Sequence, residues 1–249
     1  MLNIGKKVKT NTQTIDSLDF QPVSLYFCKL MKLIYSLLFL ITTSLLMSFS
    51  TEENGNEPGP SPKEIVFREY TNCFYESLDD ETLNILALEV ALKGYFELKA
   101  QNKLINEQYL TVIDMSLSAN TERFYLIDVY SQSIVYKSLV AHGMATGEEF
   151  ATDFSNVENS HKSSLGFYLT GETYNGRHDF SLKLDGLESF NNKARERGVV
   201  IHAAEYVSHK YIETNGRLGR SYGCPSLPHE NYFDIVSKIK NKSCLFIYF

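Results

Sequence analysis

Apolar residues recur at three- and four-residue spacing over residues 79–100. Leu83, Leu86, Ala87, Val90, Ala91 and Phe96 share one side there, which predicts a helix. Asp79 or Asp80 stands where an N-cap is needed, and acidic residues in the first turn suit the helix dipole. After Asn102 the texture turns to alternation and β-branched runs. Strands are predicted over residues 109–115, 123–129, 133–140, 165–170, 180–184, 198–202 and 244–249. Turn formers, Ser118-Ala119-Asn120-Thr121 and Ser131-Gln132, separate the first three. Residues 231–240 predict a short helix with Phe233, Val236 and Ile239 on one side. Two longer polar stretches, 143–164 and 171–197, do not fit as simple hairpins. Their mixed aromatic and charged residues suit the walls of a cleft. Many strands with helices at the ends predict a mostly-β sandwich or partly closed barrel, with a leading helix and a short C-terminal helix.

The chain upstream of this domain has another pattern. From Met31 a basic start leads into an apolar run, residues 33–49, with small residues at Ser48 and Ser50. That is the layout of a secretory signal over residues 31–50, and residues 1–30 then precede the true start. An uncleaved membrane anchor is the other reading, with Lys6, Lys7, Lys9, Lys29 and Lys32 on the inner side. Either way the bulk of the chain is expected to be exported, to the periplasm or cell envelope. Residues 51–63 carry too much Pro, Gly and charge to bury apolar surface and read as a linker. The folded domain is expected over residues 64–249.

Charge removes one class of partner. The net charge of −6 comes with no basic stripe, so nucleic acid is not expected as a partner. The cysteines add a candidate. Of four, Cys28 precedes the signal, and Cys73, Cys224 and Cys244 form an odd set in an exported chain. Cys73 and Cys244 can pair or not; Cys224 has neighbours suited to reactivity. The apolar run 198–201 delivers His202, and a glycine-studded loop leads to Ser221-Tyr222-Gly223-Cys224 before Pro225. A thiolate attacks carbonyls, an imidazole can take its proton, and a glycine beside it leaves room for substrate. Spacing alone leaves an equal alternative, a buried structural cysteine and a satisfied core histidine. His202, Glu205 and His209, with Cys224, are ligand types without zinc spacing, and no metal is expected.

His202 followed by Ser221-Tyr222-Gly223-Cys224 resembles the signature of L,D-transpeptidase catalytic domains, the YkuD-type cysteine enzymes of bacterial cell-wall synthesis. The resemblance extends over Ala141-His142-Gly143, residues 154–156, 162–168 and 182–188, and Gly216 through Pro225. It implies a mostly-β fold of that type, no cofactor, and peptidoglycan stem peptides as the partner. Cys224 would be the nucleophile and His202 the base and later the acid. The Ala203 carbonyl would orient the imidazole, and Gly223 and Cys224 would supply oxyanion donors. The enzyme would release D-Ala from a tetrapeptide stem, pass the acyl group to an amine, and react with carbapenems. The site departs from the commoner branch at Tyr222, where a His is usual, and at Ser226, where an Arg is usual. Arg217 or Arg220 would then contact a substrate carboxylate. Ser221, Tyr222 and Tyr168 complete the expected substrate contacts. Tyr174 and His178 are further cleft candidates, and Arg195 and Arg197 read as solvated charges. The rival readings are an L,D-carboxypeptidase using the same acyl-enzyme and a non-catalytic peptidoglycan-binding module.

Overall fold

The computed structural model describes residues 61–249 apart from His178. The expected signal, the residues before it and most of the expected linker lie outside them. The last linker residues are structured. Ser61 caps helix α1 (Pro62–Leu78), its hydroxyl accepting from the Glu64 amide while the Glu64 carboxylate accepts from the Ser61 amide. Helix α2 (Ile85–Ala100) starts later than its apolar periodicity does, because Asn84 is its cap. The expected cap residues serve the turn before it. Asp79 closes α1 in the left-handed region, and Asp80 Oδ1 accepts from the Thr82 and Leu83 amides. Among the described residues, no helix is long and apolar enough to cross a membrane.

Eight strands form one sheet: β1 (Tyr109–Asp114), β2 (Phe124–Asp128), β3 (Ser133–Ser138), β4 (Gly166–Gly176), β5 (Asp179–Gly186), β6 (Val200–Ala203), β7 (Ser226–Leu227) and β8 (Cys244–Tyr248). Their order is β3-β2-β1-β8-β4-β5-β6-β7. The central strands read as near-continuous apolar runs because both faces are covered. On one face Ile113, Phe124, Leu126, Leu245 and Ile247 pack against Ile235, Val236 and Ile239 of helix α4 (Tyr232–Ile239). On the other, Leu110, Val112, Tyr125, Ile127 and Phe246 lie under Ala87, Leu88 and Ala91 of α2. Cys244 is a buried free thiol on that second face, so the Cys73–Cys244 pair does not form.

The sheet curls until its edges meet. Beyond β3, Ala141 bridges to Ser226 of β7, and Gly143 bridges to Ser221. This seam leaves the sheet a nearly closed barrel, and the architecture is mostly β with a leading pair of helices. Part of the stretch 171–197 is a hairpin after all, since β4 runs on to Gly176 and β5 returns from Asp179. The stretch 143–164 holds no helix or strand beyond isolated bridges and follows the seam. A third cluster of Ala141, Ala204, Val207 and Leu218 supports the loop after β6, which carries the short helix α3 (His209–Asn215).

Candidate active site

Strands β6 and β7 run parallel, and His202 is the register partner of Ser226. Cys224 therefore stands two residues ahead of the strand that flanks His202. Pro225 lies between, where a missing N–H costs the two-residue edge strand little. His202 is 2% exposed. Its Nδ1 lies 2.9 Å from the Ala203 carbonyl oxygen and its Nε2 2.9 Å from the Ser226 hydroxyl. A carbonyl can only accept, so Nδ1 carries the proton and Nε2 the lone pair. Ser226 then donates to Nε2, and Ser226 Oγ lies 3.0 Å from the Tyr206 hydroxyl, which is placed to donate to it.

Cys224 is half-buried, and its thiol faces the Gly198 carbonyl oxygen at 3.7 Å. Burial pushes the thiol above its usual range; a hydrogen bond from the Val200 backbone and the charge of Arg197 pull it partly back. At neutral pH the resting sulfur is protonated, so attack needs a base.

The loop before Cys224 is held by its own residues. Ser221 Oγ donates to the Cys224 carbonyl at 2.6 Å and accepts from the Gly223 amide at 3.0 Å. Gly223 has φ +118°, and a Cβ there would stand 2.8 Å from the Lys162 carbonyl oxygen, so no other residue fits. The Gly223 amide is engaged by Ser221, whereas the Cys224 amide makes no hydrogen bond among the described residues. Ser221 is buried and spends its hydroxyl inside this turn. Behind the loop, Arg123 is fully buried and donates to the Val140 carbonyl and to His142 Nδ1 at 2.7 Å. His142 in turn offers its carbonyl to the Ser221 amide at 2.9 Å. Burial and the adjacent Arg123 charge pull the His142 ring down to about 4.

The walls divide the remaining candidates. Tyr222 is 68% exposed, two residues before Cys224, and its ring lies tilted against His161 with centroids 4.5 Å apart. Arg220 donates to the Met144 and Gly147 carbonyls and pairs with Glu148, and Arg217 pairs with the same carboxylate at 3.0 Å. Both guanidinium groups brace the loop 143–148. Tyr168 lies in the barrel core rather than on the cleft, its hydroxyl donating to the Ser164 carbonyl. Tyr174 sits far along the β4–β5 hairpin beside Lys183, and His178 lies outside the described residues. Arg195 is the solvated charge expected of it, paired with Glu172 and Asp185. Arg197 is not. It is half-buried and donates to the Ser155 and Lys162 carbonyls at 2.8 and 2.7 Å. Among the described residues no three of His, Cys, Asp or Glu gather as a metal requires.

A family model for the L,D-transpeptidase catalytic domain matches residues 79–248, from the turn before α2 to the end of β8. The chain belongs to that family. L,D-transpeptidases also head its structural likenesses. One from Mycobacterium smegmatis is 12% identical, with 57% of this chain and 59% of that one covered and a TM-score of 0.37. One from Xylanimonas cellulosilytica is 10% identical, with 81% and 100% covered and a TM-score of 0.35. One from Mycobacterium tuberculosis is 13% identical, with 57% and 58% covered and a TM-score of 0.33. This chain thus spans about three-fifths of the mycobacterial chains. No curated protein matches it.

Within this L,D-transpeptidase domain, three groups escape a reading of the sequence: the Tyr206–Ser226 pair on His202, the buried Arg123–His142 pair, and Arg197. Each is a polar residue whose partner comes from a distant segment, and no local spacing announces it. Ser226 alone leaves a trace, as a departure at the position two beyond the nucleophile.

Proposed function

We propose that this protein is an exported L,D-transpeptidase that acts on peptidoglycan stem peptides through a Cys224 acyl-enzyme. The observation that supports this most is the pairing of β6 with β7. It sets His202, with Nδ1 tied to the Ala203 carbonyl, beside the strand that Cys224 leads into. The Ser226 hydroxyl turns from donor to acceptor, freeing the Nε2 lone pair of His202 to take the thiol proton. The sulfur attacks the carbonyl carbon that precedes the terminal D-Ala of a donor tetrapeptide. The Cys224 amide donates to the oxyanion so formed. Collapse breaks the C–N bond, the imidazolium returns its proton to the departing D-Ala amine, and a thioester remains. A side-chain amine of a second stem then attacks the thioester and gives its proton to His202, and the sulfur leaves with the cross-link made. Tyr222, open and aromatic two residues before Cys224, is the substrate contact that best fits this arrangement.

The test is to incubate the protein with a tetrapeptide stem and an amine acceptor and to follow mass. Free D-Ala with cross-linked product is expected, and free tripeptide alone means that water resolves the thioester. Cys224→Ala is expected to abolish both products and the mass adduct formed with a carbapenem. Retention of that adduct in Cys224→Ala would remove the nucleophile assignment.

A further inference from the structure

Arg197 is set apart from its neighbours by what it lacks. Arg195, two residues earlier, meets two carboxylates, Glu172 and Asp185. Arg197 is half-buried, yet among the described residues no carboxylate lies within ion-pair distance of it. Its partners are all neutral: the Ser155 carbonyl at 2.8 Å, the Lys162 carbonyl at 2.7 Å, and the Ser160 and Ser164 hydroxyls at 3.3 and 3.4 Å. A partly desolvated cation without a counter-charge is unfavourable, and four neutral acceptors fix its position without neutralising it. The position is next to the nucleophile. Nη2 would lie 3.5 Å from a Cβ on Gly223, the residue before Cys224. Gly198, the residue after Arg197, offers the carbonyl that faces the sulfur. The counter-charge the site is built to receive is therefore one that appears only during reaction.

We infer that Arg197 is a positioning residue for the nucleophile: its fixed, unneutralised charge stabilises the thiolate of Cys224 as it forms. The inference rests on Cys224 being the nucleophile of the proposed reaction. The sulfur and the guanidinium also act on each other electrostatically: Arg197 favours the ionised thiol, and Cys224 favours the charged guanidinium. The donors of Nη1 and Nη2 are already used on the wall 155–164, so the effect is one of charge through space and not of a new hydrogen bond to substrate.

The test follows alkylation of Cys224 by iodoacetamide, an uncharged reagent, against pH, with the modified residue identified by peptide mass. Arg197→Met is expected to move the ionisation up by about one unit, a roughly tenfold slower reaction at pH 8. Arg197→Lys keeps a charge at the site and is expected to stay within about threefold of the parent. The double change Ser160→Ala with Ser164→Ala removes two wall contacts, keeps the charge, and is expected to leave the profile where it was. An Arg197→Met profile that overlays the parent would overturn the inference, as would a shift in the serine variant equal to that of Arg197→Met. Alkylation needs no peptidoglycan. A parent protein that turns over no stem peptide but shows the Arg197→Met shift would sink the transpeptidase reading and leave Arg197 standing.

Discussion

His202 has both ring nitrogens engaged, Nδ1 by the Ala203 carbonyl and Nε2 by Ser226. The first contact chooses the tautomer; the second fixes the ring and can accept from Nε2 once that nitrogen takes a proton. Ser226 is aimed in turn by Tyr206, so the base is the end of a three-member chain of hydroxyls and imidazole. A neutral hydrogen bond of this kind contributes about 1 kcal/mol, which is roughly a five- to tenfold effect when it is felt in the transition state. Ser226→Ala is therefore expected to lower kcat on a tetrapeptide donor by that factor with little change in KM. Steady-state kinetics of the folded variant check it, and an unchanged kcat would leave Ser226 a packing residue only. The motif that holds His202, Ala203 and Cys224 is visible in the sequence. The contacts of Arg197 and Ser226 are not, because they depend on what the fold brings beside them. Tyr168 illustrates the opposite error: an aromatic on a strand has no local mark that separates a cleft wall from a core.

The elements that matter most are two loops lying against each other, one leading away from the β3 edge and one leading into β7. Gly143 and Gly223 meet at their point of closest approach. A Cβ on Gly143 would stand 2.4 Å from the His161 carbonyl oxygen and 2.9 Å from Gly223 Cα. Both obstacles are backbone, so neither can swing aside. Gly143→Ala is expected to cost about 1–3 kcal/mol of stability by overpacking and to lower activity at least tenfold by displacing Cys224. Thermal midpoint and turnover, measured together, check both. Fold legibility also divides by element. The strands of the sheet centre stood out because double burial makes them apolar throughout. The two-residue β7 is too short for any pattern, and α3 buries none of its residues, so nothing periodic marks it. Only Ser61 and the first two residues of α1, Pro62 and Lys63, fall within the expected linker, because a capping box of Ser61 and Glu64 resembles a flexible segment until its reciprocal bonds are seen.

At the scale of the molecule, the barrel buries one titrating pair directly behind the site. Burial first and then the Arg123 charge hold folded His142 down to about 4, against an ordinary 6.5 for histidine. As pH falls the unfolded chain binds the proton first, so stability is complete above about pH 6.5 and is lost on the way down to about pH 4. The full loss from this one residue is about 3 kcal/mol. In His142→Gln the fall in thermal midpoint between those pH values is expected to flatten relative to the parent. Parallel melting curves across that window would show that other groups set the acid limit. His142 also holds the Ser221 amide, so activity is expected to fail in acid before the molecule as a whole unfolds.

Strand β8, the last in chain order, lies in the middle of the sheet, paired with β1 on one side and β4 on the other. Without it the sheet falls into two pieces, one holding β1 to β3 and the other β4 to β7. The bridge between Ala141 and Ser226 runs between the same two pieces, so β8 and the seam hold them together from opposite sides. A chain emerging from its N-terminus thus carries Cys224 into the open well before it can use it. If Cys224 is the nucleophile proposed above, the last strand of the sheet to leave the ribosome is also the one that completes its setting.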